Sequence, residues 1–299
     1  MALPILRPLS FGEILDGAFT LYRRNFVTFG LTTLIPTVGI IIGFFTLGSG
    51  YVDAMTSGDP LVMMTQMLTG LWKLTLLFLA GALVMWPALT REVAQAYTGQ
   101  PTSLADGFAA GARAALPLFG AAVLTWIAMI VTGFGAGIVL SMVMMAFGAM
   151  GNAMGVVGMA LAFLGYCAFV LAFAALLFAV VPAVVVEGAG PLQALERSFT
   201  LARDALGRVV GVMTVAILIA YLPMLAVMAL TGWFARMMDP GALGSGELFI
   251  TQQVLGMSVG ILTTPFLASV IVLLYFDRRV RTEALDVQMM TDSLALAGD

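Results

Sequence analysis

The sequence predicts an all-α integral membrane protein with six transmembrane helices. The helices are expected to form three hairpins in a pseudo-threefold repeat, each preceded by a short amphipathic helix at the cytoplasmic interface. Three features predict this fold: the composition, six long apolar runs and a segment that recurs along the chain. Of the 299 residues, 61% are apolar and only 10% are charged, whereas soluble domains carry about 25% charged residues. The prediction is a single membrane domain over residues 1–299.

Each apolar run is long enough to cross a membrane as a helix. Runs above about 18 residues indicate transmembrane helices. Six are present, at 26–48, 65–90, 116–145, 156–186, 207–230 and 248–276. The residues that follow the last run, 286–299, are predicted to form a flexible C-terminal tail.

A short basic segment recurs in front of each pair of apolar runs. ILDGAFTLYRRNFVTFG at 14–30 is followed 180 positions later by ALERSFTLARDALGRVV at 194–210. A fainter copy, which contains Asp106 and Arg113, lies at an offset of 90. This spacing predicts three internal repeats. They cover approximately 8–98, 99–188 and 189–285.

The recurring segments have the pattern of interfacial helices. In the first copy, Ser10 and Glu13 form a capping box that starts a helix. Apolar residues such as Phe11, Leu15 and Phe19 then follow at helical spacing on one face. The segment is too short and too charged to span, so it is expected to lie in the cytoplasmic interface.

The basic residues predict the orientation. Eleven of the 13 Lys and Arg residues lie at the N-terminus, in the second-to-third and fourth-to-fifth connections and at the C-terminus. Only Lys73 and Arg236 lie at the opposite ends of the runs. By the positive-inside rule both termini are cytoplasmic, which requires an even number of spans.

The same arginines are the candidate binding residues. Arginines beside a membrane attract anionic lipid headgroups. The candidate headgroup contacts are Arg23, Arg24, Arg113, Arg197 and Arg203. Lipids are therefore the expected partners, together with other membrane-protein subunits. A structural role, in which the segments only steer the chain into each hairpin, is the alternative.

Acidic residues at the span ends are candidate ion-pair partners. In each recurring segment an acid precedes an arginine by seven residues, about 10.5 Å along a helix, which is too far for a direct salt bridge. Each arginine is therefore expected to meet a carboxylate at the end of a span. The predicted pairs are Glu92 with Arg113, Glu187 with Arg203, and Asp277 with Arg23. Solvated surface charges are the rival interpretation.

Little in the sequence indicates catalysis. The chain has no histidine and one cysteine, Cys167, which removes the commonest zinc ligand and general base. No nucleotide-binding, metalloprotease or nucleophile-elbow motif is present. No catalytic residue, cofactor, metal site or nucleic-acid partner is predicted. No acid lies in the middle of a span, which counts against an ion-coupled transporter.

Pairs of glycines four residues apart predict close helix packing. They occur at Gly39 and Gly43, Gly133 and Gly137, Gly207 and Gly211, and Gly256 and Gly260.

Three stretches resemble a known family. They are RPLSFGEILDGAFTLYRRNF (7–26), VVPAVVVEGAGPLQALERSFTLARDALGRVVGV (180–212) and YFDRRVRTEALDVQMM (275–290). They resemble the membrane domain found in some bacterial glycerophosphodiester phosphodiesterases and in related stand-alone membrane proteins. The resemblance implies a six-span module of the bacterial inner membrane. The catalytic barrel of the phosphodiesterases and its histidine have no counterpart here, so no activity is carried over.

The leading functional hypothesis is a non-enzymatic membrane scaffold or accessory subunit that engages lipid at its cytoplasmic face. A transporter or permease for a lipid or amphipathic molecule is the first alternative, and a membrane-embedded enzyme is the second.

Overall fold

The computed structural model describes residues 7–47, 60–151, 153–230 and 246–283. Within these ranges the protein is all-helical, with nine helices and no strand. They are α1 (Phe11–Arg24), α2 (Phe26–Leu47), α3 (Pro60–Tyr97), α4 (Leu104–Gly148), α5 (Ala153–Leu176), α6 (Val180–Glu187), α7 (Pro191–Arg203), α8 (Leu206–Leu230) and α9 (Gly246–Glu283). The predicted tail, 286–299, lies outside the described residues.

The described ranges contain six helical segments long and apolar enough to cross a membrane, as a multi-pass membrane protein requires. They are Phe26–Phe45, Leu68–Tyr97, Leu104–Gly148, Ala153–Glu187, Leu206–Leu230 and Gln253–Glu283. The prediction of six spans is confirmed at this level. The helices α3, α4 and α9 extend beyond their apolar runs at both ends, because their polar ends continue the same hydrogen-bonding pattern.

The fourth span is interrupted between α5 and α6. Pro182, in the first turn of α6, has no N–H to continue the α5 ladder. The hydroxyl group of Ser198 in α7 hydrogen-bonds to backbone groups on both sides of the interruption. It donates to the Leu176 carbonyl at 2.7 Å and accepts from the Ala179 N–H at 3.0 Å. Pro182 therefore turns the chain here, and α7 contacts the turn.

The chain divides into two compact units that do not follow the three sequence repeats. Unit 1 consists of Gly12–Ala115 and Val215–Leu273. Unit 2 consists of Leu116–Thr214 and of the described residues 7–11 and 274–283. The boundaries between the units fall inside α4, α8 and α9, so one part of each of these helices belongs to unit 1 and the rest belongs to unit 2.

Most of the glycine pairs predicted from the sequence do not lie at close helix contacts. A methyl group added at Gly43 of α2 would come within 2.6 Å of the Leu77 side chain of α3, so those helices pack closely. At Gly39, Gly133 and Gly137 the same methyl would meet nothing within 4 Å. Close packing of α4 on α3 uses a pair that the sequence analysis did not identify, Gly107 and Gly111, described below.

Candidate functional site

Unit 2 brings together five polar side chains from α6, α7 and α9. This Glu187 cluster consists of Glu187, Arg197, Tyr275, Arg279 and Glu283. Arg197 Nε lies 2.9 Å from Glu187 Oε2, and Arg197 is also paired with Glu283. Arg279 Nε lies 3.0 Å from Glu283 and 3.4 Å from Glu187. The Tyr275 hydroxyl donates to Glu187. Two guanidinium groups balance two carboxylates, which favours a structural role.

The local sequence brings Glu187 to this cluster. It is the last residue of α6, and Gly188 follows in the left-handed region at φ 70°, where a glycine carries no steric cost. The turn lets α7 begin at Pro191 and present Arg197 to Glu187. Partial burial alone would lower the pKa of Arg197, but its hydrogen bonds to Glu283 and Glu187 outweigh that effect and raise the pKa above its ordinary value.

A second cluster in unit 2 surrounds Asp277, whose side chain is fully buried. This Asp277 cluster consists of Asp277, Leu9, Arg208 and Arg281. The carboxylate accepts from the Leu9 N–H at 2.8 Å, from Arg281 Nε at 3.0 Å and from Arg208 Nη2 at 3.2 Å. Both arginines also donate to the Leu9 carbonyl. One carboxylate therefore binds two arginines and, through Leu9, fixes the segment that precedes α1 to α8 and α9.

The adjacent arginine of α9 satisfies a helix end. Arg278 is almost fully buried, and its Nε donates to the Leu201 carbonyl at 2.8 Å. Leu201 lies in the last turn of α7, where carbonyl groups lack intrahelical partners and a cation is favourable. The DRRVR run at 277–281 thus contributes side chains to the Asp277 cluster, to the C-terminal end of α7 and to the Glu187 cluster.

Unit 1 holds a carboxyl group of a different kind. Glu92 of α3 is completely buried. Its Oε1 lies 2.6 Å from the Thr32 hydroxyl of α2, and its Oε2 has no hydrogen-bond partner. The side-chain oxygen of Gln95, one turn later in α3, also has no partner. No salt bridge to Glu92 occurs within the described ranges.

The start of α4 covers Glu92. Methyl groups added at Gly107 and Gly111 would come within 2.6 Å of Glu92 Oε1 and 3.0 Å of the Val84 carbonyl of α3, respectively. These glycines, four residues apart in GFAAG, let α4 lie directly against α3. The spacing was visible in the sequence, but it occurs in the segment expected to be interfacial.

The expected partners of the acids were wrong. Arg203 lies 3.4 Å from its neighbour Asp204 and not beside Glu187, because Arg197 and Arg203 are six residues apart on α7 and point about 120° away from each other. Asp277 binds Arg208 and Arg281 instead of Arg23, because Arg281 lies one turn later on α9 itself.

The expected contact between Glu92 and Arg113 is also not formed. Arg113 is exposed and its Nε donates to the Ala109 carbonyl of its own helix at 3.1 Å. It follows Gly111 by two residues, about 200° around the helix axis. Because α4 turns Gly107 and Gly111 toward α3, Arg113 faces away from it.

The candidate lipid-contacting arginines fall into two groups. Four are exposed at the protein surface: Arg23, Arg24, Arg113 and Arg203. The fifth, Arg197, has its guanidinium occupied by Glu187 and Glu283. Sequence reasoning missed Tyr275, Arg279, Glu283, Arg208 and Thr32. The dense basic run after residue 276 was the only signal for the α9 members of this group.

A cavity of about 350 Å³ lies between α8 and α9 in unit 1. Its lining includes Tyr221, Thr263, Thr264 and the glycine pair Gly256 and Gly260. Methyl groups added at these two glycines would approach other atoms no closer than 3.8 Å. The pair therefore opens space beside α8 and does not hold the helices in close contact.

Within the described ranges, no group of three or more His, Cys, Asp or Glu side chains is arranged to hold a metal ion. Comparisons with models of protein families, with curated proteins and with solved structures find no match to the chain. The resemblance to the membrane domain of glycerophosphodiester phosphodiesterases therefore rests on its three motifs alone.

Proposed function

We propose that the chain is a non-enzymatic scaffold or accessory subunit of the bacterial inner membrane that engages anionic lipid at its cytoplasmic face. In this proposal both termini are cytoplasmic, and α1, α7 and the start of α4 lie at the membrane interface. The family resemblance belongs to the same proposal. The observation that carries it is a common surface pattern on α1 and α7.

The two helices bury and expose matching positions at the 180-residue offset of the sequence repeat. Ala18 of α1 and Ser198 of α7 are both fully buried. The next residues, Phe19 and Phe199, are 53% and 50% exposed. An exposed arginine follows each phenylalanine by four residues, at Arg23 and Arg203. One face of each helix thus packs on protein, while another presents an aromatic ring and a cation side by side.

An exposed ring next to an exposed cation suits the boundary between acyl chains and headgroups. The ring can enter the apolar layer while the guanidinium binds phosphate oxygens. The corresponding segment of α4 keeps the cation, Arg113, but has Ala109 in place of the phenylalanine. The ion-pair clusters of unit 2 support a scaffold because they hold α7 in a fixed position at the span ends.

Lipid retention tests this proposal. Replacing Arg23, Arg113 and Arg203 together by Gln removes one exposed arginine from each repeat. Basic residues near a membrane contribute about 1 kcal/mol each to binding anionic lipid. The triple variant should therefore bind phosphatidylglycerol roughly 100-fold more weakly, as measured by native mass spectrometry of the full chain titrated with that lipid.

Two variants serve as controls. Arg197→Gln removes an arginine that already binds two carboxylates, and Lys73→Gln removes a cation from the opposite end of a span. Neither should change phosphatidylglycerol retention by more than twofold. Equal losses in all three variants would indicate general charge attraction, and an unchanged triple variant would leave these segments as structural elbows.

The cavity between α8 and α9 favours a transporter of a lipid or amphipathic molecule as a second candidate. Its mixed lining of glycines, hydroxyl groups and apolar side chains suits an amphipathic ligand. Gly256→Leu would fill the cavity. In vesicles, a transporter should move a fluorescent phospholipid across the bilayer, and this substitution should slow it. A scaffold should show no such movement with or without the substitution.

A further inference from the structure

The inference concerns Glu92, which the proposed function does not use. Its carboxyl group is completely buried in unit 1 and has one hydrogen-bonding neighbour, the hydroxyl of Thr32. An ionised carboxylate that is removed from water without a cation is strongly unfavourable, whereas a neutral carboxylic acid is far easier to bury. The surroundings therefore favour the protonated form.

The charged groups on the contacting helices do not change this. The described part of α2 contains none. Asp106 and Arg113 of α4 are both exposed. Arg91, next to Glu92 on α3, is partly exposed, and successive helical residues do not face each other. Glu92 is paired with none of them.

The hydrogen bonds around Thr32 point to the same state. The Thr32 hydroxyl lies 2.6 Å from Glu92 Oε1 and 3.1 Å from the Thr28 carbonyl. A hydroxyl group has one proton to donate. Beside a carboxylate, it cannot satisfy both acceptors. If Glu92 carries a proton on Oε1, the acid donates to Thr32 and Thr32 donates to Thr28, and both contacts are hydrogen bonds.

Two further acceptors mark the side of Glu92 from which a proton can arrive. Glu92 Oε2 and the side-chain oxygen of Gln95 are both buried and have no donor. They lie three residues apart on α3 and hence on the same face. A protonated donor such as hydronium that reaches this face meets two oxygens that can accept from it.

We propose that Glu92 is a proton-binding site. It takes up a proton from water and returns it to water as the pH rises. The step transfers only a proton between the Glu92 carboxyl group and water, and requires no oxidant, reductant or metal.

Infrared spectroscopy of the full chain in lipid nanodiscs tests the site directly. A protonated carboxylic acid has a C=O stretch that is separate from the carboxylate bands. The difference spectrum of wild type minus Glu92→Gln should contain one such band at neutral pH, and the band should disappear as the pH is raised. Glu187→Gln is the matched control, because Glu187 is a carboxylate bound by arginines, and it should remove no such band.

Thr32→Val keeps Glu92 and removes the hydroxyl group that contacts its carboxyl group. It should leave the C=O band present but shifted, because the acid loses its hydrogen-bond acceptor. This variant also tests the site if Glu92→Gln does not fold.

The pH titration of the wild-type C=O band should be the same in sodium, potassium and choline salts.

Two results would overturn the proposal. One is a wild-type spectrum without a carboxylic acid band that depends on Glu92, which would mean that the nearby N-terminus of α4 holds an ionised carboxylate. The other is a titration whose midpoint moves with sodium but not with choline, which would assign the site to a metal cation.

Discussion

Two buried carboxyl groups, Asp277 in unit 2 and Glu92 in unit 1, occupy similar positions in the sequence and have opposite surroundings. Each follows the apolar part of a span at its arginine-rich end. Asp277 binds Arg208, Arg281 and a backbone N–H, whereas Glu92 contacts one hydroxyl group. The comparison shows that a buried acid can be paired with cations or left without one, and the proposed neutral state of Glu92 belongs to the second case.

The difference originates partly in the local sequence. Four residues after Asp277 the chain has Arg281, which lies one turn along the same helical face and reaches back to the carboxylate. Four residues after Glu92 it has Ala96. Glycines at the start of α4 then cover Glu92 and leave no room for a long cationic side chain from that helix. The second cation at Asp277, Arg208, is supplied by tertiary packing.

The largest expected effect comes from neutralising each acid in turn. Removing one member of a buried ion pair leaves an unpaired charge and typically costs 3–5 kcal/mol. Asp277→Asn should destabilise the protein by about 3 kcal/mol, the lower end of this range, because Arg208 and Arg281 are partly exposed. Glu92→Gln replaces an acid already expected to be neutral and should cost about 1 kcal/mol or less. Unfolding of the two variants in mixed detergent micelles measures both values. Similar losses would remove the distinction between the two sites.

The second prediction concerns the glycines that cover Glu92. Gly111→Ala places a methyl group 3.0 Å from the Val84 carbonyl, and overpacking of this kind costs about 1–3 kcal/mol. Gly133→Ala is the matched control on the same helix, because its methyl group meets nothing within 4 Å. It should be neutral or stabilise by up to about 1 kcal/mol. Equal effects at both positions would mean that α4 does not pack closely on α3 at Gly111.

The third prediction separates the observed partner of Glu187 from the expected one. In a double-mutant cycle, Glu187→Gln and Arg197→Gln should be coupled by about 0.5–3 kcal/mol, as contacting charges are. The lower part of this range is expected, because both side chains are partly exposed. The cycle of Glu187→Gln with Arg203→Gln should be additive within about 0.5 kcal/mol. Coupling to Arg203 instead would restore the pairing predicted from the sequence.

The smallest expected effect is the pH dependence contributed by Arg197. Its pKa is raised in the folded protein, so its contribution to stability is fully present below the pKa of the unfolded state, which lies far above neutral pH. The contribution is lost only as the pH rises above that value. The difference in unfolding free energy between wild type and Arg197→Gln should therefore stay constant between about pH 6 and 9. A steep change in this window would assign the pH dependence to another group.

The membrane spans were predictable because their signal is local. Apolar length and composition are properties of consecutive residues, and six spans follow from them directly. In α1, Phe19 and Arg23 are exposed while Ile14 and Ala18 are buried, and the interfacial position of this helix stays a prediction. Leu15, which was placed on the same stripe as Phe19, is only partly buried, because the packed face is centred one residue earlier.

The middle repeat shows where reasoning from sequence spacing stops. An offset of 90 matched charged residues of α4 to those of α1. The buried positions Gly107 and Gly111 instead correspond to Ile14 and Ala18 at an offset of 93. The shift of three residues is a rotation of about 300°, about 60° short of a full turn, and it changes which face of α4 meets α3. It thereby decides that Arg113 lies outside and that Glu92 is enclosed.

The sequence by itself determined that this chain is helical, that six segments can cross a membrane, and that arginines and acids gather at one set of span ends. Those properties depend on hydrophobicity and on helical periodicity, which neighbouring residues set together. Only the tertiary structure decided which acid meets which arginine, and which acid meets none. Contacts between helices depend on how each helix is rotated about its axis, and a rotation of one residue, 100°, exchanges a partner for open surface.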